Sequence, residues 1–330
     1  MPTSNNVIER AAAIRQNILN LYWGAWSELG VSGWGRTHGD WAIDPEPLIA
    51  FTAEVATEDA RLRDEVTDWC IHNWRHVSQV RLRHILRDND LESSGEWGEF
   101  AATVNRSAGS KFPGATAARP YQTTGRSTLR SLTEPSAVYL RMRAVFGLGA
   151  RTEVLRYLLF NDERSTAAEL ALKVNYAKRN VADACEILVQ ASFLTSTAVR
   201  NRLYFSLTDA PALMRLVREV PSQTPDWAAL FRVVSQILEW TYSVGTMSLR
   251  VLMVETHRVA VSIDEDLVVL GIAPPPRSAG EEFINVWSKW ATNVTKKLSE
   301  GQWPLGQERS RAIDAENVRR IRARRARRAS

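Results

Sequence analysis

Two cysteines in 330 residues are too few for a disulfide framework, and both, Cys70 and Cys185, fall inside apolar patterns of helical spacing. They read as small buried hydrophobes of a protein kept in a reducing compartment. No run approaches the roughly 18 uninterrupted apolar residues of a membrane span. The opening Met-Pro-Thr-Ser-Asn-Asn lacks the basic end and apolar stretch of a signal peptide. A cytoplasmic protein with no membrane partner is expected. Histidine is also scarce, with five in the chain. His72 and His76 stand four apart, but a metalloprotease helix needs Glu where Asn73 stands. The close set of soft ligands that structural zinc requires is missing as well. No metal or other cofactor is expected.

Phosphate-binding chemistry is thinly represented too. The loop 30–44 carries Gly35, Gly39, Asp40 and Asp44, which invites a nucleotide-acting enzyme. It lacks a G-x-x-x-x-G-K-[ST] cradle and a Gly-Ser turn, and its acids are four apart instead of at the D-x-D spacing that shares a metal. No catalytic residue is assigned.

What is present is globular: 45% hydrophobic and 24% charged residues, with twelve tryptophans. The formal net charge of +5 conceals its distribution. Residues 308–330 hold nine Arg against Glu308, Asp314 and Glu316, a net of +6 that leaves −1 for everything before them. Basicity confined to particular places points to polyanion contacts at particular places.

Periodicity predicts a helix over 7–29, closed by Gly30 and Gly33, then helices over 45–56, 58–73, 77–87 and about 97–104. Trp23, Trp26, Trp34, Trp41, Trp69, Trp74 and Trp97 would fill the core of this Trp-rich helical domain, residues 1–104. Residues 105–135 show no hydrophobic periodicity. They carry Arg106, Lys111, Arg119, Arg126 and Arg130 with no acid up to residue 133, and are expected to be a flexible basic linker or a DNA-following arm. A lead-in helix over 136–146 brings Arg141 and Arg143, which are expected to face phosphates.

The stretch 148–208 organises the rest. Val154, Leu155, Leu158 and Leu159 recur at helical spacing over 150–160. Thr166-Ala-Ala-Glu169 has the form of a capping box opening a second helix with Leu170, Ala171 and Val174 inward. A third helix is predicted over 177–191, with Val181, Ala184, Cys185, Leu188 and Val189 on one face. Two short strands over 193–197 and 202–206 follow, joined by a turn at 198–201. This order, with Thr166-Ala-Ala-Glu-Leu-Ala171, the apolar 187–194 and Tyr204-Phe-Ser-Leu-Thr208, resembles winged helix-turn-helix DNA-binding domains of the bacterial regulator type. The segments beginning at Asp44, Arg61 and Arg81 resemble one found before winged helices in some bacterial regulators, antitoxin-like ones among them.

The resemblance implies a DNA-binding transcriptional regulator. Its recognition helix, 177–191, would enter the major groove, and its wing, 198–202, would lie on the backbone or minor groove. Lys178, Arg179 and Asn180 occupy the first turn of that helix, where Arg can grip guanine and Asn adenine with two hydrogen bonds each. Arg200, Asn201 and Arg202 stand on the wing, and Tyr176 would offer a hydroxyl to a phosphate. Four helices, over 210–220, 226–244, 248–264 and 280–298, follow in a region 209–300 expected to dimerise the protein. The tail, 301–330, with Arg319, Arg320, Arg324 and Arg325, would hold nucleic acid without sequence preference. The fold expected is mainly α, with a β-hairpin wing, and double-stranded DNA is the expected partner. The rival reading is an antitoxin-like module that binds a protein partner.

Overall fold

The computed structural model describes residues 5–161, 163–276 and 278–304. The chain is mainly helical with one small antiparallel sheet, and its contacts divide it into two compact units. The first unit takes the described residues before 25 and after 224, and the second takes those from 25 to 224. The sequence had suggested breaks at 104, 135, 208 and 300.

In the first unit, the early part of α1 (Asn5–Leu29) lies with α11 (Trp227–Ser243), α12 (Leu249–Leu270) and α13 (Glu281–Ser299). Apolar side chains three and four apart on α11 and α13 are buried, as their spacing requires. Trp240 meets Trp287 edge-on at 6.0 Å and donates its Nε1 to Thr256 Oγ1 at 2.9 Å, whereas the buried Nε1 of Trp287 has no hydrogen-bond partner. Arg10 donates to Asn285 at 2.6 Å, and Arg232 pairs with Asp266 at 2.7 Å.

The second unit includes α2 (Pro45–Val55), α3 (Ala60–Asn73), α4 (Gln79–Asp88) and α5 (Gly95–Ala108), and in it Trp26, Trp41, Trp69 and Trp97 are buried, Trp26 meeting Trp69 edge-on at 5.3 Å. Trp34 is 41% exposed and Trp74 half-buried, so these two are not core residues as expected. Asp59 caps α3 and Ser78 caps α4, each by accepting from amides of the first turn.

The expected flexible linker is corrected by its contacts. Phe112 and Ser127 are buried, and Trp97 Nε1 donates to Pro113 O at 2.8 Å. Arg119 pairs with Asp64 at 2.7 Å. The Asp68 carboxylate accepts from the backbone amides of Thr124, Gly125 and Ser127. A Cβ at Gly30 would lie 1.9 Å from Thr128 O, so a side chain is excluded where this segment crosses. Without periodicity in the sequence, only these partners on α3 and α5 reveal that the segment is fastened.

The remainder of the second unit comprises α6 (Val138–Phe146), α7 (Ala150–Phe160), β1 (Ser165–Thr166), α8 (Ala167–Val174), α9 (Lys178–Gln190), β2 (Leu194–Val199), β3 (Arg202–Leu207) and α10 (Ala210–Val217). The sheet order is β1-β3-β2, antiparallel throughout, with Ser165 opposite Phe205, Leu194 opposite Leu207 and Val199 opposite Arg202. Val154, Leu158, Leu170, Val181, Cys185, Leu188, Leu194 and Phe205 share one apolar core.

Candidate functional site

The surface of interest is built by the turn between α8 and α9 and by the β2–β3 hairpin. Thr166 accepts from the amide of Glu169, whose carboxylate accepts in return from the amide of Thr166, so the expected capping box starts α8. Asn175, in the left-handed conformation at φ 54° and ψ 48°, ends α8. The next helix therefore begins only three residues later, at Lys178. Val181, Ala184, Cys185 and Leu188 bury one face of α9, which leaves Lys178, Arg179 and Asn180 exposed in its first turn. Its N-cap residue, Ala177, makes no side-chain cap bond. Positive potential from the amide ends thus adds to that of the two cations. One and two turns on, exposed Asp183 and Glu186 reverse the sign.

The hairpin turns on Arg200 and Asn201, with Val199 paired to Arg202 across it. Arg200 has φ 53°, a conformation that glycine adopts more easily. Arg200, Asn201 and Arg202 are all exposed. Among the described residues, no carboxylate lies within 4.0 Å of Lys178, Arg179, Arg200 or Arg202.

Tyr176 does not join them. It is 8% exposed, and its hydroxyl lies 2.7 Å from Ser78 Oγ. Burial raises its pKa and points it inward, so it offers no phosphate contact. Arg141 and Arg143 are corrections as well. Arg141 donates to Leu132 O at 2.7 Å and Glu134 O at 3.1 Å, and is buried. Arg319, Arg320, Arg324 and Arg325 lie outside the described residues.

Arg143 belongs to a buried ion cluster that sequence reasoning missed. Arg81 grips Asp44 with two bonds of 2.8 and 2.6 Å and also donates to Glu46. Arg143 grips Glu46 at 2.7 and 2.8 Å and donates to Glu153 at 2.8 Å, and Arg156 donates to Glu153 at 3.0 Å. Tyr139 lies under the Arg156 guanidinium, 3.9 Å from carbon to ring centroid. Three guanidinium and three carboxylate groups balance.

Burial alone would raise the Glu153 carboxyl, but Arg143, Arg81 and Arg156 hold it well below the usual range. Asp44 is likewise lowered, Arg81 outweighing its burial. For Glu46 burial prevails and the shift is upward. With Asp44 held this way, the Asp40 and Asp44 pair is not free to share a metal. Burial also pushes the Cys185 thiol up to about 12.

Comparison with family models, with curated proteins and with solved structures found no match to this chain.

Proposed function

We propose that residues 136–208 act as a winged helix-turn-helix that binds double-stranded DNA, and that the protein is a transcriptional regulator. In this reading the first turn of α9 enters the major groove. Arg179 and Asn180 read base edges, Lys178 holds base or phosphate, and Arg200, Asn201 and Arg202 hold the backbone or minor groove. The observation that carries it is a contrast among arginines. Arg81, Arg143 and Arg156 are buried in ion pairs, while Lys178, Arg179, Arg200 and Arg202 remain exposed without a carboxylate partner among the described residues. Exposed cations on a short helix end and an adjoining hairpin suit a phosphate-lined groove. Dimerisation through residues 209–300 is supported by Val251, Val254 and Val261, which are 50, 63 and 75% exposed along α12.

The test is selection of bound fragments from random duplex DNA at two salt concentrations, followed by titration. Arg179→Ala is expected to cost about 1–3 kcal/mol on the selected site and to relax preference at one base pair. Parent and variant binding alike would remove the basis for the assignment.

A second reading, an antitoxin-like module for a protein partner, is favoured by Asp183 and Glu186 on the exposed face of α9. Leu172 and Ile187, 61 and 45% exposed, point the same way. Co-purification of a second protein that protects this face, with no DNA selected, would decide for it.

A further inference from the structure

The turn that aims α9 is held from outside the helix-turn-helix. Its three residues are consecutive, and each is bound to α4 or to the residue that caps it. Val174 O accepts from Arg81 Nε at 3.0 Å, Asn175 O accepts from His84 Nδ1 at 3.1 Å, and the Tyr176 hydroxyl lies 2.7 Å from Ser78 Oγ. The Arg81 end is buried and tied into the Asp44, Glu46 and Arg143 cluster, so it cannot swing. Ser78 is fixed twice more, since its amide donates to Glu46 at 2.6 Å and its Oγ accepts from the Arg81 amide.

We infer that Ser78, Arg81 and His84 are positioning residues for DNA recognition: they clamp residues 174–176 and thereby set where the first turn of α9 points. This inference rests on the proposed DNA binding. A helix-turn-helix fixes the angle between its two helices through their shared core, and Val174, Val181 and Leu188 supply that here. The core restrains the buried face of α9, whereas Lys178, Arg179 and Asn180 sit at its free end, two residues beyond the clamp. A misplacement of about an ångström at such a site is enough to lose two-pronged hydrogen bonds to a base. Phosphate contacts, which ask for charge more than angle, tolerate it. The clamp therefore governs sequence preference more than overall affinity, and it links the N-terminal helices to the reading head.

Arg81 is unsuited to the test because its loss would strand buried carboxylates. Tyr176→Phe removes one hydroxyl and keeps the ring, and His84→Ala removes the second tie. The full chain carrying each change would be titrated with the duplex selected above and with a random-sequence duplex, and its amide hydrogen exchange followed. Each variant is expected to lose about tenfold on the selected duplex and less than twofold on the random one, with an unchanged salt slope. Exchange is expected to quicken at residues 177–181 and stay constant in α7. Unchanged exchange at 177–181 overturns the clamp. Faster exchange with both affinities intact overturns its role in recognition. A parent that binds no duplex sinks the functional reading, while the exchange arm still upholds or overturns the clamp.

Discussion

At the scale of single residues, exposure separates groups that look alike in the sequence. Arg143 and Arg179 are both arginines near helix ends; one is locked between Glu46 and Glu153, the other is exposed. Arg200 adds a separate lesson, because it combines charge with an unfavourable left-handed backbone. A left-handed conformation at a residue that carries a Cβ costs roughly 1 kcal/mol, which glycine avoids. Arg200→Gly is therefore expected to leave thermal stability equal or slightly higher while weakening binding to selected and random duplexes alike. A variant that melts earlier than the parent would show that the side chain has a structural part the hairpin geometry does not reveal.

Among the elements, α2, α4, α6 and α7 are joined by charge instead of by apolar contact alone. Buried ion clusters of this kind give little net stability over apolar packing, yet removing one partner is costly. Their pH dependence follows from the shifts. Asp44 and Glu153 have lowered pKa values, so their contribution is present above the ordinary values of 3.8 and 4.5 and is lost as pH falls through the folded ones. Glu46, raised, works in the opposite direction and offsets part of this. His76 is lowered from 6.5, first by burial and then by Arg143, so its contribution is present above 6.5 and declines as pH falls. The melting temperature is expected to drop shallowly below pH 6.5 and steeply below about 4.5. His76→Gln should remove the shallow limb only. A melting temperature constant from pH 7 to about 2 would contradict the lowered carboxyls of Asp44 and Glu153.

For the molecule as a whole, the distribution of charge matters more than its total. Residues 1–307 carry a net −1, so under the proposed function attraction to DNA would have to come from local clusters and from the Arg-rich residues after 307. Under that proposal, each phosphate that residues 318–330 neutralised would release a counterion and steepen the salt dependence. Removing residues 318–330 is expected to weaken binding to every duplex and flatten the slope of affinity against salt, with preference among sequences retained. Loss of sequence preference on truncation would place specific contacts in the tail instead.

The sequence alone determined the local elements. The capping box at Thr166 and Glu169 and the buried faces of α7 and α9 follow from spacing within a few residues, where side chains meet their own backbone; the hairpin was expected too, but with a turn at 198–201, whereas β2 runs on to Val199, which pairs with Arg202. Tertiary structure decided which charges are spent inside. The ion cluster draws its members from positions 44, 46, 81, 143, 153 and 156, and the segment 105–135 is fastened by acids at 64 and 68. No periodicity announces partners so far apart, because a carboxylate finds its guanidinium only after helices pack and water is excluded.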